Sequence, residues 1–222
     1  MTSNGQTIPD SSIIFDLDGT IADSFDLIVR IGHQLIKDER LADLELVKIN
    51  RDDNVGLAEA FKTLKYPKWK WPFLLFRGRK LLSEQMGNIP LTEGISTLLT
   101  QLSNKKNLRL FIVSSNSSTN VIKFLKAKKL SNCFERVYGG AGLLNKGRLI
   151  KKLIRAEGLD LERVIYVGDE VRDIEAARQA KLKCIAVSWG YNSRQLLANS
   201  SPYELATNIK ELTNALNTWL KG

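Results

Sequence analysis

Histidine and cysteine are almost missing from this chain, which has one His and two Cys in 222 residues. That scarcity argues against a His/Cys zinc site, which needs three or four such ligands. A Ser-His-Asp triad would have to run through His33. That residue lies in the helix-like stretch LIVRIGHQLIK, and no G-x-S-x-G elbow accompanies it. Cys133 and Cys184 sit among apolar neighbours, the ordinary place for a free thiol. They permit one disulfide but not a disulfide scaffold. No apolar run reaches the ~18–20 residues needed to span a bilayer. The opening MTSNGQTIPD lacks the basic and apolar regions of a secretory signal. Cytoplasmic residence, without a membrane partner, is the expectation. The chemistry must then rest on carboxylates, lysine and hydroxyls.

With hydrophobic residues at 43% and charged residues at 26%, the balance is that of a folded soluble protein. The length suits one large domain, or a core with a small insert. Net charge is +9, which attracts anions: nucleic acid, acidic headgroups or phosphorylated small molecules. The basic residues are spread along the chain. The clusters KAKK (126–129) and RGRK (77–80) are too short for a nucleic-acid arm. The charge therefore reads as a lysine-rich surface, and no specific nucleic-acid partner is expected.

Ser12–Phe15 reads as a buried strand running into Asp16-Leu17-Asp18-Gly19-Thr20, and Asp23 or Ser24 can cap the helix that follows. Residues 24–87 carry helical apolar spacing with almost no strand signal. Within them, Pro67 and Pro72 bracket the aromatic YPKWKWPF as a loop or helix start. From Ile89 onward helices alternate with short β-rich runs. Strands are expected at Leu108–Val113, Val137–Tyr138, Val164–Val167 and Cys184–Val187. Helices are expected at Ile95–Leu102, Asn120–Lys128, Leu149–Glu157, Ile174–Ala180 and within Glu204–Leu220. This alternation implies an α/β fold of right-handed βαβ units around a parallel sheet, with ligands at the carboxyl ends of the strands. The polar residues there, Asp16, Asp18, Ser114 and Asp169, should meet in one crevice.

A phosphate-ester hydrolase without histidine needs carboxylates for a hard cation, an aspartate nucleophile, an acid for the leaving alkoxide and fixed donors for the phosphoryl oxygens. Those strand ends and Lys146 supply that set. IIFDLDGTIADS (13–24) resembles the first motif of the haloacid dehalogenase (HAD) superfamily, D-x-D-G-T. FIVSS (111–115) resembles the second, Lys146 stands where the third is expected, and VIYVGDEVRDIEAARQA (164–180) resembles the fourth, G-D-x-x-x-D. The later VSWGY (187–191) matches as well. The likeness covers most of the chain, is weakest over 24–88, and is strongest to the phosphoglycolate-phosphatase-like branch.

The resemblance implies a Rossmann-like core of residues 1–22 and 89–222, with an inserted all-helical cap at 23–88. It implies that Asp16 attacks phosphorus and ligates Mg²⁺. Asp18 protonates the leaving group, then activates water, and ligates the metal through its carbonyl. Asp169 completes the protein metal ligands. Asp173 orients the metal shell or pairs with Lys146. Ser114 and Lys146 bind the phosphoryl group, and Gly19 lets the backbone turn beside it.

Asp18 favours phosphate esters, since the dehalogenase and phosphonatase branches lack an acid there. The implied function is Mg²⁺-dependent hydrolysis of a small phosphorylated metabolite, phosphoglycolate-like or a sugar phosphate. The alternatives are a mutase of the β-phosphoglucomutase type and a non-enzymatic anion or nucleic-acid binder. The run after Gly56 is LAEAF, with Glu59 and no mutase-type arginine, although Lys48 and Arg51 can bind an anion. Two departures stand out. Motif three reads Asn145-Lys146-Gly147-Arg148 rather than K-P-x-P, which leaves Lys151 or Lys152 as substitutes. Motif four carries Glu170 where Ser is common, facing solvent or modestly aiding the metal. The cap aromatics Tyr66, Trp69, Trp71, Phe73 and Phe76 are expected to pack the helical bundle, and Arg77 and Arg79 to form a solvated face. Monomer and dimer are both open.

Overall fold

The computed structural model describes residues 10–38, 69, 71–140 and 145–222. Lys48, Arg51, Gly56, Glu59, Tyr66 and Pro67, and the side chain of Trp71, lie outside what is described.

Strand β1 (Ser11–Phe15) is buried along its whole length. Its side chains alternate between two cores, Ile13 and Phe15 in one and Ile14 in the other. Such a strand must be apolar at every position rather than at every second one. Strands β2 (Leu108–Val113), β4 (Val164–Gly168) and β5 (Lys183–Val187) repeat the pattern, while the short β3 (Arg136–Tyr138) and β6 (Glu204–Ala206) form the edges. All pairings are parallel, in the order β3-β2-β1-β4-β5-β6. The chain moves outward from β1 through β2 to β3, then returns to lay β4 on β1's other side. That reversal opens a crevice at the carboxyl ends of β1 and β4.

Helices α3 (Ile95–Ser103), α4 (Ser118–Ala127) and α8 (Ile209–Lys221) cover one face, packing Leu99, Phe124 and Leu216 into the core that holds Phe15, Ile112 and Val167. Helices α5 (Lys146–Glu157), α6 (Val171–Gln179) and α7 (Arg194–Asn199) cover the other, with Leu153, Ala177 and Leu197 in the core of Ile14, Val113 and Tyr166. Each fully buried Leu, Ile or Phe contributes about 1.5–3 kcal/mol. Helices α4, α5 and α6 start earlier than apolar periodicity suggests, whereas α3 starts at Ile95 as expected. Ser117 accepts a hydrogen bond from the Asn120 N–H and starts α4 at Ser118. The short α7 and β6 carry too little periodic signal to be expected.

Helices α1 (Phe25–Asp38) and α2 (Trp71–Gln85) fall in the segment read as the cap. Leu27, Ile31 and Leu35 of α1 and Leu74 of α2 join the core around Phe15, and Arg77 reaches Asp38 at 2.7 Å. The chain leaves and re-enters the α/β unit side by side. The Asp23 N–H donates to the Pro90 carbonyl at 2.9 Å, and the Thr92 N–H to the Ile21 carbonyl at 3.0 Å.

One expectation fails here. Trp69, Phe73 and Phe76 are 77%, 56% and 67% exposed rather than packed. For Phe73 and Phe76 helical spacing is the reason: they share a face of α2 turned away from Leu74, and the inward places go to Leu74, Leu81 and Leu82. Arg79 is exposed as expected, and Arg77 is half-buried against Asp38.

Candidate active site

Asp16 follows β1 and is 2% exposed. Its N–H donates to the Val167 carbonyl of β4 at 2.9 Å, which fixes the carboxylate at the crevice between the two strands. Lys146 opens α5 and is also buried. Its Nζ lies 2.8 Å from Asp16 Oδ2 and 2.5 Å from Asp173 Oδ1. The same lysine therefore spans the first and fourth motifs, while Lys151 and Lys152 stand exposed farther along the helix. Asp173 Oδ2 accepts the N–H groups of Asp169 and Glu170 at 3.2 and 3.1 Å.

Asp169 directly follows β4 and is fully buried. Its Oδ1 accepts the Thr20 hydroxyl at 2.8 Å and its Oδ2 the Tyr191 N–H at 2.8 Å. Gly19 lies against this carboxylate with φ +81°, and a Cβ there would collide with Asp169 Oδ2. Both the left-handed backbone and the close approach require glycine. Asp18 is half-buried. Its Oδ1 accepts the Ser24 hydroxyl at 3.0 Å, and its Oδ2 faces the Asn116 amide at 3.4 Å. Ser114 directly follows β2 and is fully buried, and its Oγ accepts the Asn116 N–H at 3.0 Å. The contacts gather the site residues into two groups that Ser24 and Tyr191 bridge, from Asp18 on one side to Asp169 on the other. One joins Asp16, Lys146, Asp173 and Asp169, and the other joins Asp18, Asn116 and Ser114. His33 is exposed on α1, away from this network.

Glu170 does not face solvent. It is 5% exposed, caps α6 in a reciprocal box with Asp173, and pairs with Arg172. The first turn of α6 leaves N–H groups without intrahelical partners, and a carboxylate at the cap satisfies them and complements the helix dipole. Thr20, Asn116, Tyr191 and Arg172 take part in the site beyond the residues read from sequence, and Ser24 contributes more than a helix start. Thr20, Ser24 and Tyr191 fall inside the matched segments 13–24 and 187–191. Asn116 had no signal beyond a polar loop.

Burial pushes the Asp16 carboxyl up to about 7, against the opposing pull of Lys146. Asp169 and Glu170 are raised for the same first reason, and neighbouring carboxylates add to it. Burial also raises Asp18, which its bonds from Ser24 and Asn116 partly offset. For Lys146 burial opposes the charge, but Asp16 and Asp173 outweigh it and hold the ammonium above its usual value. Carboxylates thus crowd a buried space where Lys146 and Arg172 are the neighbouring cations. Ligand atoms of Asp16, Glu170 and Asp173 lie within 4.8 Å of one another. An excess of buried anionic oxygen suits a hard divalent cation, which compensates charge that burial makes costly.

Six parallel strands flanked by helices, with buried carboxylates and a lysine at the switch point, make a Rossmann-like α/β fold. Residues 13–187 match the haloacid dehalogenase-like hydrolase family. A phosphoglycolate phosphatase of Synechococcus elongatus is 34% identical over 215 residues, covering 95% of this chain and 99% of its own. One from Photorhabdus laumondii is 26% identical, covering 92% of each. A haloacid dehalogenase-like hydrolase from Streptococcus pneumoniae superposes with a TM-score of 0.80 at 23% identity, covering 93% of this chain and 98% of that one. The chain belongs to the haloacid dehalogenase-like hydrolase family, in its phosphoglycolate-phosphatase-like branch, and is a phosphatase of that type.

Proposed function

We propose that this enzyme is a Mg²⁺-dependent phosphomonoesterase that hydrolyses a small phosphorylated metabolite, 2-phosphoglycolate or a close analogue, through an aspartyl-phosphate on Asp16. The observation that carries the reading is the buried Lys146 ammonium held between Asp16 and Asp173 at the end of β1. It keeps a nucleophilic oxygen oriented and supplies a cation beside the phosphoryl oxygens. The named activity of the Synechococcus relative supports the substrate class.

An Asp16 carboxylate oxygen attacks phosphorus as the ester P–O bond breaks. The leaving oxygen takes the proton from the Asp18 carboxyl and departs as an alcohol. Asp18, now a carboxylate, takes a proton from the water that attacks the phosphorus of the aspartyl-phosphate. Inorganic phosphate leaves, and both carboxyl groups return to their starting states. Ser114 and Lys146 steady the phosphoryl oxygens, and Gly19 keeps side-chain bulk away from them.

Asp16, Asp169 and the Asp18 main-chain carbonyl would hold Mg²⁺, with Asp173 behind them. When bound, the ion neutralises phosphate charge and orients the group for in-line attack. Residues 23–88 act as the cap over a core of residues 1–22 and 89–222. The paired crossings at 21–23 and 90–92 support these boundaries. Lys48 and Arg51 are the cap residues assigned to the substrate's second anionic group. Two unpaired cysteines suit a reducing cytoplasm.

A phosphate-release screen over phosphorylated metabolites with Mg²⁺ tests the reading, with Asp16→Asn as control. Phosphate release by wild type and none by the variant is the expected result. Equal release by both overturns the mechanism. Isomerisation of a sugar phosphate outrunning phosphate release replaces hydrolysis with mutase transfer.

A further inference from the structure

An asparagine side chain accepts at its oxygen and donates at its nitrogen, so the end it turns to a neighbour decides what it can hold. Between α2 and the loop after β2, two asparagines and a serine form a chain whose direction is fixed at one end. The Ser117 backbone N–H can only donate, and it lies 3.0 Å from Asn116 Oδ1. That oxygen is therefore an acceptor. The Asn116 amide nitrogen is turned to Asp18 Oδ2 at 3.4 Å and to the buried Met86 Sδ at 3.6 Å. Asn120 Nδ2 donates to the same Asn116 oxygen at 2.9 Å. The oxygen of Asn120 then points the other way, where the Ser83 hydroxyl donates to it at 2.7 Å. Ser83 lies in the last turn of α2, and its carbonyl accepts Lys123 Nζ of α4 at 2.9 Å.

Three bonds thus run in one direction from α2 to Asp18. Asn120 is buried, so losing either partner leaves a polar atom that water does not readily satisfy. The main chain of Asn116 is held separately. Its N–H donates to Ser114 Oγ at 3.0 Å, and its carbonyl accepts the Gly140 N–H at 2.6 Å. With the backbone fixed, the direction of the amide is what the side-chain contacts decide. We propose that Asn120 is a positioning residue that aims the Asn116 amide at Asp18 and, through Ser83, makes that aim depend on the docking of α2 against α4. The inference rests on the reading of Asp18 as a catalytic residue. What the chain of bonds sets is the place of its carboxyl group. A mere staple between α2 and α4 would instead affect stability and activity together.

Asn120→Asp reverses one link at nearly constant volume. It keeps the acceptor for Ser83 but sets a second oxygen against Asn116 Oδ1, so the Asn116 amide turns round and presents its oxygen to Asp18. A carboxylate in the first turn of α4 is favoured by the helix dipole, which offsets part of the lost bond. With 2-phosphoglycolate and Mg²⁺, kcat should fall about tenfold or more, since a ~1 Å misplacement can cost ~100-fold. KM should stay within about twofold, because neither residue is assigned to substrate. The thermal midpoint should fall by less than about 4 °C. Ser83→Ala should lose about threefold, the scale of one neutral hydrogen bond, and nothing more in the Asn120→Asp background. A readout independent of turnover is the pair of Asn116 side-chain amide NMR signals. They should move in Ser83→Ala, although the two residues are linked only through Asn120. Full activity in either variant, unmoved Asn116 signals, or an activity loss that tracks a larger fall in midpoint overturns the proposal. Asp18→Asn separates that failure from failure of the underlying reading. If Asp18→Asn keeps wild-type phosphate release, Asp18 is not catalytic. If it is inactive while Asn120→Asp is not, only the positioning role is wrong.

Discussion

At the scale of single residues the site depends on charge placement that burial makes expensive to disturb. Lys146 serves two carboxylates at once while 4% exposed. Removing it leaves Asp16 and Asp173 facing each other without the cation between them. Breaking a buried pair by deleting one partner costs about 3–5 kcal/mol. Lys146→Met should therefore lower the urea midpoint of metal-free protein by that equivalent, and phosphate release should fall to background. A midpoint within about 1 kcal/mol of wild type in equilibrium unfolding would show that the pair does not hold the fold together. Gly19 makes a steric demand of the same locality. Gly19→Ala puts a methyl where Asp169 Oδ2 lies and strains a φ of +81°. A left-handed non-glycine costs about 1–3 kcal/mol, and Asp169 must also shift, so activity should fall more steeply than the thermal midpoint does.

Residues of this kind differ in how legible they are before a structure exists. Asp16, Asp18, Ser114 and Asp169 could be placed because each closes a strand, and strand ends in a parallel sheet converge. Lys146 carried almost no signal among many lysines, yet its position at the first residue of α5 put it at Asp16. Glu170 was misread. Nothing local says that a carboxylate one place after Asp169 will turn inward, because the cause is the orphaned first turn of α6. Phe73 and Phe76 were misread for the opposite reason. A Trp or Phe is a core residue by composition, but helical phase decides, and Leu74 holds the inward place.

At the scale of elements, buried strands were readable and most helix starts were not. Strands buried on both faces announce themselves as continuous apolar runs, so β2 at Leu108–Val113 emerged with its observed bounds. Helix starts follow caps instead, and α8 illustrates why. Its N-cap Asn208 accepts the Glu211 N–H at 3.0 Å, while Glu211 Oε2 accepts the Thr207 N–H at 2.7 Å and hydroxyl at 2.8 Å. The Thr207 N–H bond first, then the hydroxyl, holds the Glu211 carboxyl below its usual value. A group whose folded pKa is depressed adds stability above its unfolded value and loses it as pH falls through the folded one. Glu211→Gln should therefore lower the melting temperature at neutral pH, and the difference from wild type should vanish as the solution is acidified below the ordinary carboxylate range. Thermal scans of both proteins across that range decide it. A difference that persists in acid would assign the effect to side-chain shape rather than charge.

At the scale of the whole molecule, the sheet delivers an unbalanced cluster of acids to one buried crevice and leaves the imbalance for a cation to settle. The consequence is thermodynamic. A cation that binds only the folded state stabilises it by about 2.7 kcal/mol at a hundred times its dissociation constant. For a chain of this size each kcal/mol moves the melting temperature by about 2–4 °C. Saturating Mg²⁺ should thus raise the midpoint of chelator-treated protein by roughly 5–10 °C. The rise should shrink in Asp16→Asn and Asp169→Asn, because each removes a proposed ligand. It should persist in Ser114→Ala, which touches phosphate and not metal. Glu170→Gln then decides between two ligand sets. The raised carboxyls of Asp16, Asp169 and Glu170 are all strained by burial, yet Glu170 is already occupied by its cap and by Arg172. If Glu170→Gln leaves the Mg²⁺-induced rise intact, Asp169 carries the coordination and Glu170 only starts α6. If the rise disappears with Glu170 and survives Asp169→Asn, the ion sits on Asp16, Glu170 and Asp173 instead.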